Sequence, residues 1–167
     1  MSASTAQAES DPGRGTGRRR RKILAVASPG GHWTQLLRLR PAFAGHEVVF
    51  ATTLADSRAE VADDRFRLLP DANRNSRWRL LALIVVTFFV VLRERPDVVI
   101  STGAAPGYFA IRFAHYLGAR TLWLESIANP EEPSLSTRLV RPYADLMLTQ
   151  WPHMAQPGGP LYRGSVL

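Results

Sequence analysis

From Ile23 onward, short apolar runs with β-like composition alternate with longer stretches in which apolar residues recur at helical spacing. The short runs Ile23–Ala27, Glu47–Thr52, Asp97–Ser101, Thr121–Glu125 and Leu146–Thr149 read as strands. Helices are expected over about Trp33–Leu39, Trp78–Leu92, Tyr108–Leu117 and Ser134–Val140. Such βαβ alternation predicts a single α/β, Rossmann-like domain over residues 23–167: a parallel sheet covered by helices on both faces, with functional loops at the carboxyl ends of the strands. The connection Leu54–Arg77 is polar and mixed, includes Asp71-Ala72-Asn73-Arg74-Asn75, and holds a short strand near Arg67–Leu69.

One helix breaks the amphipathic rule. Trp78–Leu92 reads WRLLALIVVTFFVVL, apolar around its circumference except for Arg79 and Thr87, and flanked by Arg77, Arg93 and Arg95. Fifteen helical residues span roughly 22 Å, short of the ~30 Å hydrocarbon core. The segment therefore suits insertion into one leaflet with snorkelling arginines, or burial between the sheet and a partner, better than a full crossing.

A chain of 167 residues with 46% apolar content can bury one proper core, which leaves little room for a second α/β domain. It has no cysteine, so disulfide frameworks and thiolate metal sites are excluded, and its four histidines lack metal-ligand spacing. No metal or cofactor is expected. The net charge of +7 is concentrated at the start, where Arg14 and Arg18-Arg19-Arg20-Arg21-Lys22 face only Glu9 and Asp11. Residues 1–22 are expected to be a disordered basic tail. Its charges run straight into a strand-like segment, unlike a signal peptide, so a cytosolic protein is expected. A basic cluster there suits an anionic membrane surface or plain solvation better than nucleic acid.

Candidate chemistry lies in two glycine turns. Ser28-Pro29-Gly30-Gly31-His32 follows the first strand and precedes a helix. Its glycines permit a sharp turn and close approach of a ligand, and the helix start offers N–H groups and a positive dipole end to an anion. His32 can donate to a diphosphate or act as general base on a hydroxyl, although a helix-capping histidine fits the same position. The second turn, Ser101-Thr102-Gly103-Ala104-Ala105-Pro106-Gly107-Tyr108, again follows an apolar strand and opens a helix. If both strands are central, the two loops meet at one crevice and grip a pyrophosphate or sugar phosphate, with Ser101 and Thr102 adding hydroxyls. Glu125-Ser126-Ile127-Ala128-Asn129 brings a carboxylate, a hydroxyl and an amide to the same edge. Glu125 can receive sugar hydroxyls or serve as a base, or instead cap the helix near Ser134, and Asn129 can be a turn residue before Pro130. A dinucleotide-binding dehydrogenase is disfavoured because no GxGxxG with its acidic partner is present.

In this order and spacing, ILAVASPGGHWTQLLRL, VVISTGAAPGYFAIRFAHYLGA, LWLESIANPEEPSLSTRLVRPYADLMLTQW and YRGSVL resemble the Alg14/PssD family. That family is similar to the N-terminal half of GT-B glycosyltransferases such as the peptidoglycan enzyme MurG, in which two glycine loops and a histidine contact a polyprenyl-diphosphate acceptor. The resemblance implies an acceptor-binding, membrane-recruiting subunit of a two-component glycosyltransferase. Its reaction would move a sugar from a UDP-sugar to a polyprenyl-diphosphate-linked glycan at the cytoplasmic face of the membrane, in exopolysaccharide or lipid-linked oligosaccharide synthesis. The donor would be held mainly by an Alg13/PssE-like partner, the chain being inactive alone. By position, the resemblance implies that Gly30, Gly31, Ser101, Thr102, Gly103, Gly107, Tyr108, Ser126 and Asn129 bind substrate, with His32 first and Glu125 second as catalytic base. Pro29 departs from the usual small or glycine residue and removes one N–H from the first loop. The bacterial PssD-like branch fits better than eukaryotic Alg14, whose N-terminal membrane anchor has no counterpart in the basic tail. A noncatalytic membrane adaptor that completes a soluble glycosyltransferase is the alternative. Trp151, Tyr162 and Ser165-Val166-Leu167 are expected in the partner interface or in the core.

Overall fold

The computed structural model describes residues 19–72 and 76–166. Most of the expected basic tail (residues 1–18), the polar triplet Asn73–Asn75 and the terminal Leu167 lie outside these described residues.

Seven parallel strands form one sheet: β1 (Lys22–Val26), β2 (Glu47–Thr52), β3 (Arg65–Leu68), β4 (Val98–Ser101), β5 (Arg120–Leu124), β6 (Leu146–Thr149) and β7 (Leu161–Tyr162), in the spatial order β3-β2-β1-β4-β5-β6-β7. The chain builds outward in one direction from β1 to β3, then returns beside β1 and builds the other way. Ile23 consequently pairs with Val48 on one side and Val98 on the other. This reversal between β1 and β4 is a topological switch point, where adjacent loops leave in opposite directions and open a crevice.

Alternation along the strands divides the core into two layers. Leu24 and Val26 of β1 join Val99, Trp123 and Met147 beneath α2 (Arg77–Glu94), α3 (Ala104–Tyr116) and α4 (Leu135–Val140). Ile23 and Ala25 point the other way, with Phe50 and Ile100, onto Trp33 and Leu36 of α1 (Gly31–Arg38) and Phe43 of the short 3₁₀ turn after it. The Leu54–Arg77 connection contains a 3₁₀ segment, Ala55–Val61, ahead of β3.

Helix α2 starts at Ser76, whose hydroxyl accepts the Arg79 N–H. It ends where Arg95 turns left-handed, at φ 45°, just before Pro96. Only the stripe Leu83, Thr87, Val91 and Glu94 is buried. Buried Glu94 closes an ion cluster with Arg65 at 2.9 Å, Arg67 at 2.6 Å and Lys22 at 3.6 Å, tying the end of α2 to the amino edges of β1 and β3. The opposite face leaves Trp78, Leu81, Val85, Phe88, Phe89 and Leu92 exposed, and Leu80 in the first turn is exposed as well. Among the described residues, no helix is long and apolar enough to cross a membrane.

β3 begins at Arg65 and α2 ends at Glu94, each two residues outside the expected bounds, and two further shifts bear on the glycine turns. α1 begins at Gly31 and not at Trp33, so His32 is helical. α3 begins at Ala104 and not at Tyr108, because Pro106 falls in the first turn, where its missing N–H is no loss. Gly107 and Tyr108 are therefore helical residues and not part of the turn.

Candidate functional site

The turns after β1 and β4 flank the switch point and are bonded to each other. The His32 ring is bonded through Nδ1 to the Thr102 carbonyl at 2.7 Å, and the Thr102 hydroxyl donates to the His32 carbonyl at 2.7 Å. A carbonyl can only accept, so Nδ1 carries the proton, and in the neutral ring Nε2 keeps its lone pair. The latch thus selects the tautomer that a general base on Nε2 needs.

Glycine is required where the histidine meets the second turn. A Cβ on Gly103 would stand 2.4 Å from His32 Cε1, and its φ of 138° lies in the region that disfavours other residues. Ala104 follows at φ 64°, a left-handed conformation uncommon for a residue with a Cβ. Gly30, at φ 77°, turns the chain from β1 into α1, with Gly31 exposed beside it. The N-termini of α1 and α3 consequently open at the same edge of the sheet, and each presents unpaired N–H groups there.

The other expected residues divide into two groups. Ser101 is fully buried and its hydroxyl accepts the Gly103 N–H, so it shapes the turn from below. Gly107 lets α3 pack closely over β4, since a Cβ there would fall 1.8 Å from Ser101 Oγ. Tyr108 turns its ring onto Phe109 and Tyr143, and its hydroxyl accepts from Arg112. Glu125 is 2% exposed. Its carboxylate accepts from Asn129 Nδ2 at 2.7 Å, from the Ser134 N–H at 3.4 Å and from the Thr137 hydroxyl. It therefore holds the loop into α4, as the capping alternative anticipated, and Asn129 closes the same loop.

Burial pushes the Glu125 carboxyl above its ordinary value of 4.5, against the opposing pull of its hydrogen bonds from Asn129 and Ser134. A raised folded pKa means that the folded protein binds the proton more tightly than the unfolded chain. Stability from this group is then greatest at low pH and declines as pH rises from 4.5 through the folded value. Glu125→Gln is expected to remove that decline, and urea unfolding of both proteins at a series of pH values checks it. A pH-independent difference between the two proteins would show that Glu125 does not titrate in this way.

Sequence reasoning passed over the two buried amides behind this loop. Gln35, on α1 one turn beyond His32, is 5% exposed, and Gln150, just past β6, is 3% exposed. Gln150 Nε2 donates to both Gln35 Oε1 and the Glu125 carbonyl, and its Oε1 accepts the Val166 N–H. The signal was a glutamine at i+3 from the histidine on the buried side of a short amphipathic helix. Trp151 donates its indole N–H to the Ile127 carbonyl at 3.1 Å, while Tyr162 lies in the exposed edge strand β7, which the apolar pattern is too short to announce.

A model of the family described as "Oligosaccharide biosynthesis protein Alg14 like" matches residues 54–162. That range includes the second glycine turn and Glu125–Asn129, while His32 precedes it. The UDP-N-acetylglucosamine transferase subunit ALG14 of Yarrowia lipolytica is 26% identical over 118 residues, covering 66% of this chain and 55% of the relative. The same-named subunit of Mus musculus is 26% identical over 169 residues, covering 81% and 77%. Among solved structures, Acinetobacter baumannii MurG superposes with a TM-score of 0.71 at 13% identity, over 88% of this chain and 46% of that one. The UDP-N-acetylglucosamine 2-epimerase of Rickettsia bellii gives 0.68 at 14%, over 88% and 45%. These structural likenesses establish the fold: a Rossmann-type domain equivalent to about half of each larger chain.

Proposed function

The chain belongs to the Alg14-like family of oligosaccharide biosynthesis proteins, and from that premise we propose that it is the acceptor-binding, membrane-associated subunit of a two-component, UDP-sugar-dependent glycosyltransferase. The acceptor is a polyprenyl-diphosphate-linked glycan, and the donor is held mainly by an Alg13/PssE-like partner. The observation that carries this reading is the His32–Thr102 latch, which joins two glycine turns at the switch point of a half-GT-B fold. Its Nε2 is a base in the tautomer required, beside two helix N-termini suited to a diphosphate.

In the reaction, the acceptor hydroxyl attacks the anomeric carbon of the donor sugar. The new carbon–oxygen bond forms as the bond to the UDP oxygen breaks, His32 Nε2 takes the hydroxyl proton, and UDP leaves with the bonding pair. Gly30, Gly31, Thr102 and Gly103 line the acceptor's phosphates. Ser126 adds its hydroxyl beside those phosphates, and Asn129 lies on the sugar side. Ser101, Gly107, Tyr108 and Glu125 support the turns and the loop from behind, so His32 is the single base. The exposed apolar face of α2, between arginines at both ends, supports attachment to the cytoplasmic leaflet without a span. The basic residues that precede β1 add electrostatic attraction to anionic lipid.

Transfer of labelled sugar from UDP-sugars into a lipid-diphosphate fraction tests the reading, with membranes carrying this chain, its candidate partner, or both. Activity is expected only where both are present. Activity from this chain alone would defeat the two-component reading, and none from the copurified pair would defeat the proposed reaction.

A further inference from the structure

Ser126 carries a buried hydroxyl whose lone pairs are both taken. The residue is 4% exposed, and its Oγ accepts from Gln35 Nε2 and from the Ala128 N–H, each at 3.3 Å. A hydroxyl has two lone pairs and one proton. The proton is left to be given away, and no group among the described residues accepts it.

The polarity of this arrangement is set by backbone groups that have no choice of role. The Ile127 N–H can only donate, and it binds Gln35 Oε1 at 3.3 Å. That orients the Gln35 amide with its NH₂ toward Ser126. Gln150 is pinned in the same way, its NH₂ on the Glu125 carbonyl at 2.9 Å and its oxygen on the Val166 N–H at 2.9 Å. Its second amide proton goes to Gln35 Oε1 and reinforces the same orientation. A flipped Gln35 would set its NH₂ against the Ile127 N–H and the Gln150 NH₂, and a flipped Gln150 would set its oxygen against the Glu125 carbonyl. A leucine would fill either buried position with fewer demands, so what the amides add is direction.

We propose that Gln35 is a positioning residue which, braced by Gln150, makes Ser126 an obligate hydrogen-bond donor to a phosphoryl oxygen of the bound acceptor diphosphate. This rests on the reading of the crevice as the acceptor site. A phosphoryl oxygen carrying no proton only accepts, and is the complement of a hydroxyl that only donates. Because Gln35 shares α1 with His32, the same helix that presents the base also sets the donor, and the two act on one ligand from a single rigid element.

The test measures acceptor KM, donor KM and kcat on the copurified pair, using a short-chain polyprenyl diphosphate sugar. Ser126→Ala removes the donor. Gln35→Glu keeps the size and the oxygen that Ile127 and Gln150 bind, but sets a second oxygen against Ser126, which then donates to Glu and withdraws from the ligand. Both variants are expected to raise acceptor KM by about tenfold, with kcat within about threefold of wild type and donor KM unmoved. The double variant is expected to be no worse than Ser126→Ala. Wild-type acceptor KM in Gln35→Glu, or effects that multiply in the double variant, would overturn the relay. If Gln35→Glu loses its cooperative melt, Ser126→Ala decides alone, and an unchanged acceptor KM there also overturns it. His32-dependent transfer with both variants like wild type would remove the relay and leave the acceptor site standing. A wild-type pair that transfers nothing to lipid diphosphate would remove both.

Discussion

His32→Ala, measured in the chain copurified with its proposed partner subunit, is expected to lower kcat by about 10²–10⁴-fold, the usual worth of a positioned general base. Copurification and acceptor KM should change little. In the proposed mechanism the ring contributes Nε2 to chemistry, while Nδ1 binds the Thr102 carbonyl, and loss of one partly exposed hydrogen bond is small beside loss of the proton acceptor. Two features make the effect specific. The backbone half of the latch survives the substitution in part, since Thr102 Oγ1 donates to the main-chain carbonyl of residue 32 and not to the ring. The backbone at Gly103 keeps its own support, because its N–H is held by the Ser101 hydroxyl and not by the ring being deleted. The second turn should therefore hold its shape while the base disappears. Activity equal to wild type with the complex intact would shift the assignment to the noncatalytic adaptor, in which the latch merely shapes an edge of the partner's site.

The strands and the crevice between them were legible because their signals are local. Each of β1, β2, β4, β5 and β6 is a run of β-branched and apolar residues bounded by polar or glycine-containing turns, and each was located to within a residue at either end. That β1 and β4 neighbour each other is a property of the whole sheet, and the parallel βαβ rule sufficed to suggest it. What local signals could not resolve was the depth of the second turn. Pro106 and Gly107 look like turn residues, yet proline is harmless in a first helical turn, and Gly107 is there because Ser101 leaves no room for a Cβ. The division of labour among polar residues was equally hidden. Glu125 reads as a candidate base from its place at a strand end, but two donors from its own loop and the Thr137 hydroxyl of α4 occupy it. Gln35 and Gln150 stand 115 residues apart and acquire meaning only when folding brings their amides together. A buried amide has no sequence signature beyond a polar residue on an apolar stripe.

Trp78→Glu combined with Phe89→Glu is expected to weaken binding to anionic vesicles by at least about 100-fold while leaving the fold intact. Trp78 is 81% exposed and Phe89 is 58% exposed, and the stripe that α2 buries lies elsewhere, at Leu83, Thr87, Val91 and Glu94. Stability measured by urea should therefore move little. Each large apolar side chain withdrawn from lipid costs roughly 1.5–3 kcal/mol, so two together reach a hundredfold even before the repulsion of new carboxylates from an anionic surface. The geometry also predicts which activity suffers. β3 runs toward the carboxyl edge of the sheet and α2 begins just beyond it, so Trp78 stands at the edge that carries His32 and Thr102. A helix lying in the interface by this face would bring the crevice down to the depth of the lipid phosphates, where a polyprenyl diphosphate presents its head. Transfer to a long-chain acceptor in vesicles should fall with binding, while transfer to a short-chain, water-soluble acceptor should hold at wild-type rate. If the double variant keeps its vesicle binding but no longer copurifies with the partner, the face of α2 is a protein interface, and lipid contact must come from the partner or from the basic residues before β1. If long- and short-chain transfer fall together with vesicle binding intact, the face acts on the crevice itself, and the placement of the acceptor at the membrane surface would have to be abandoned.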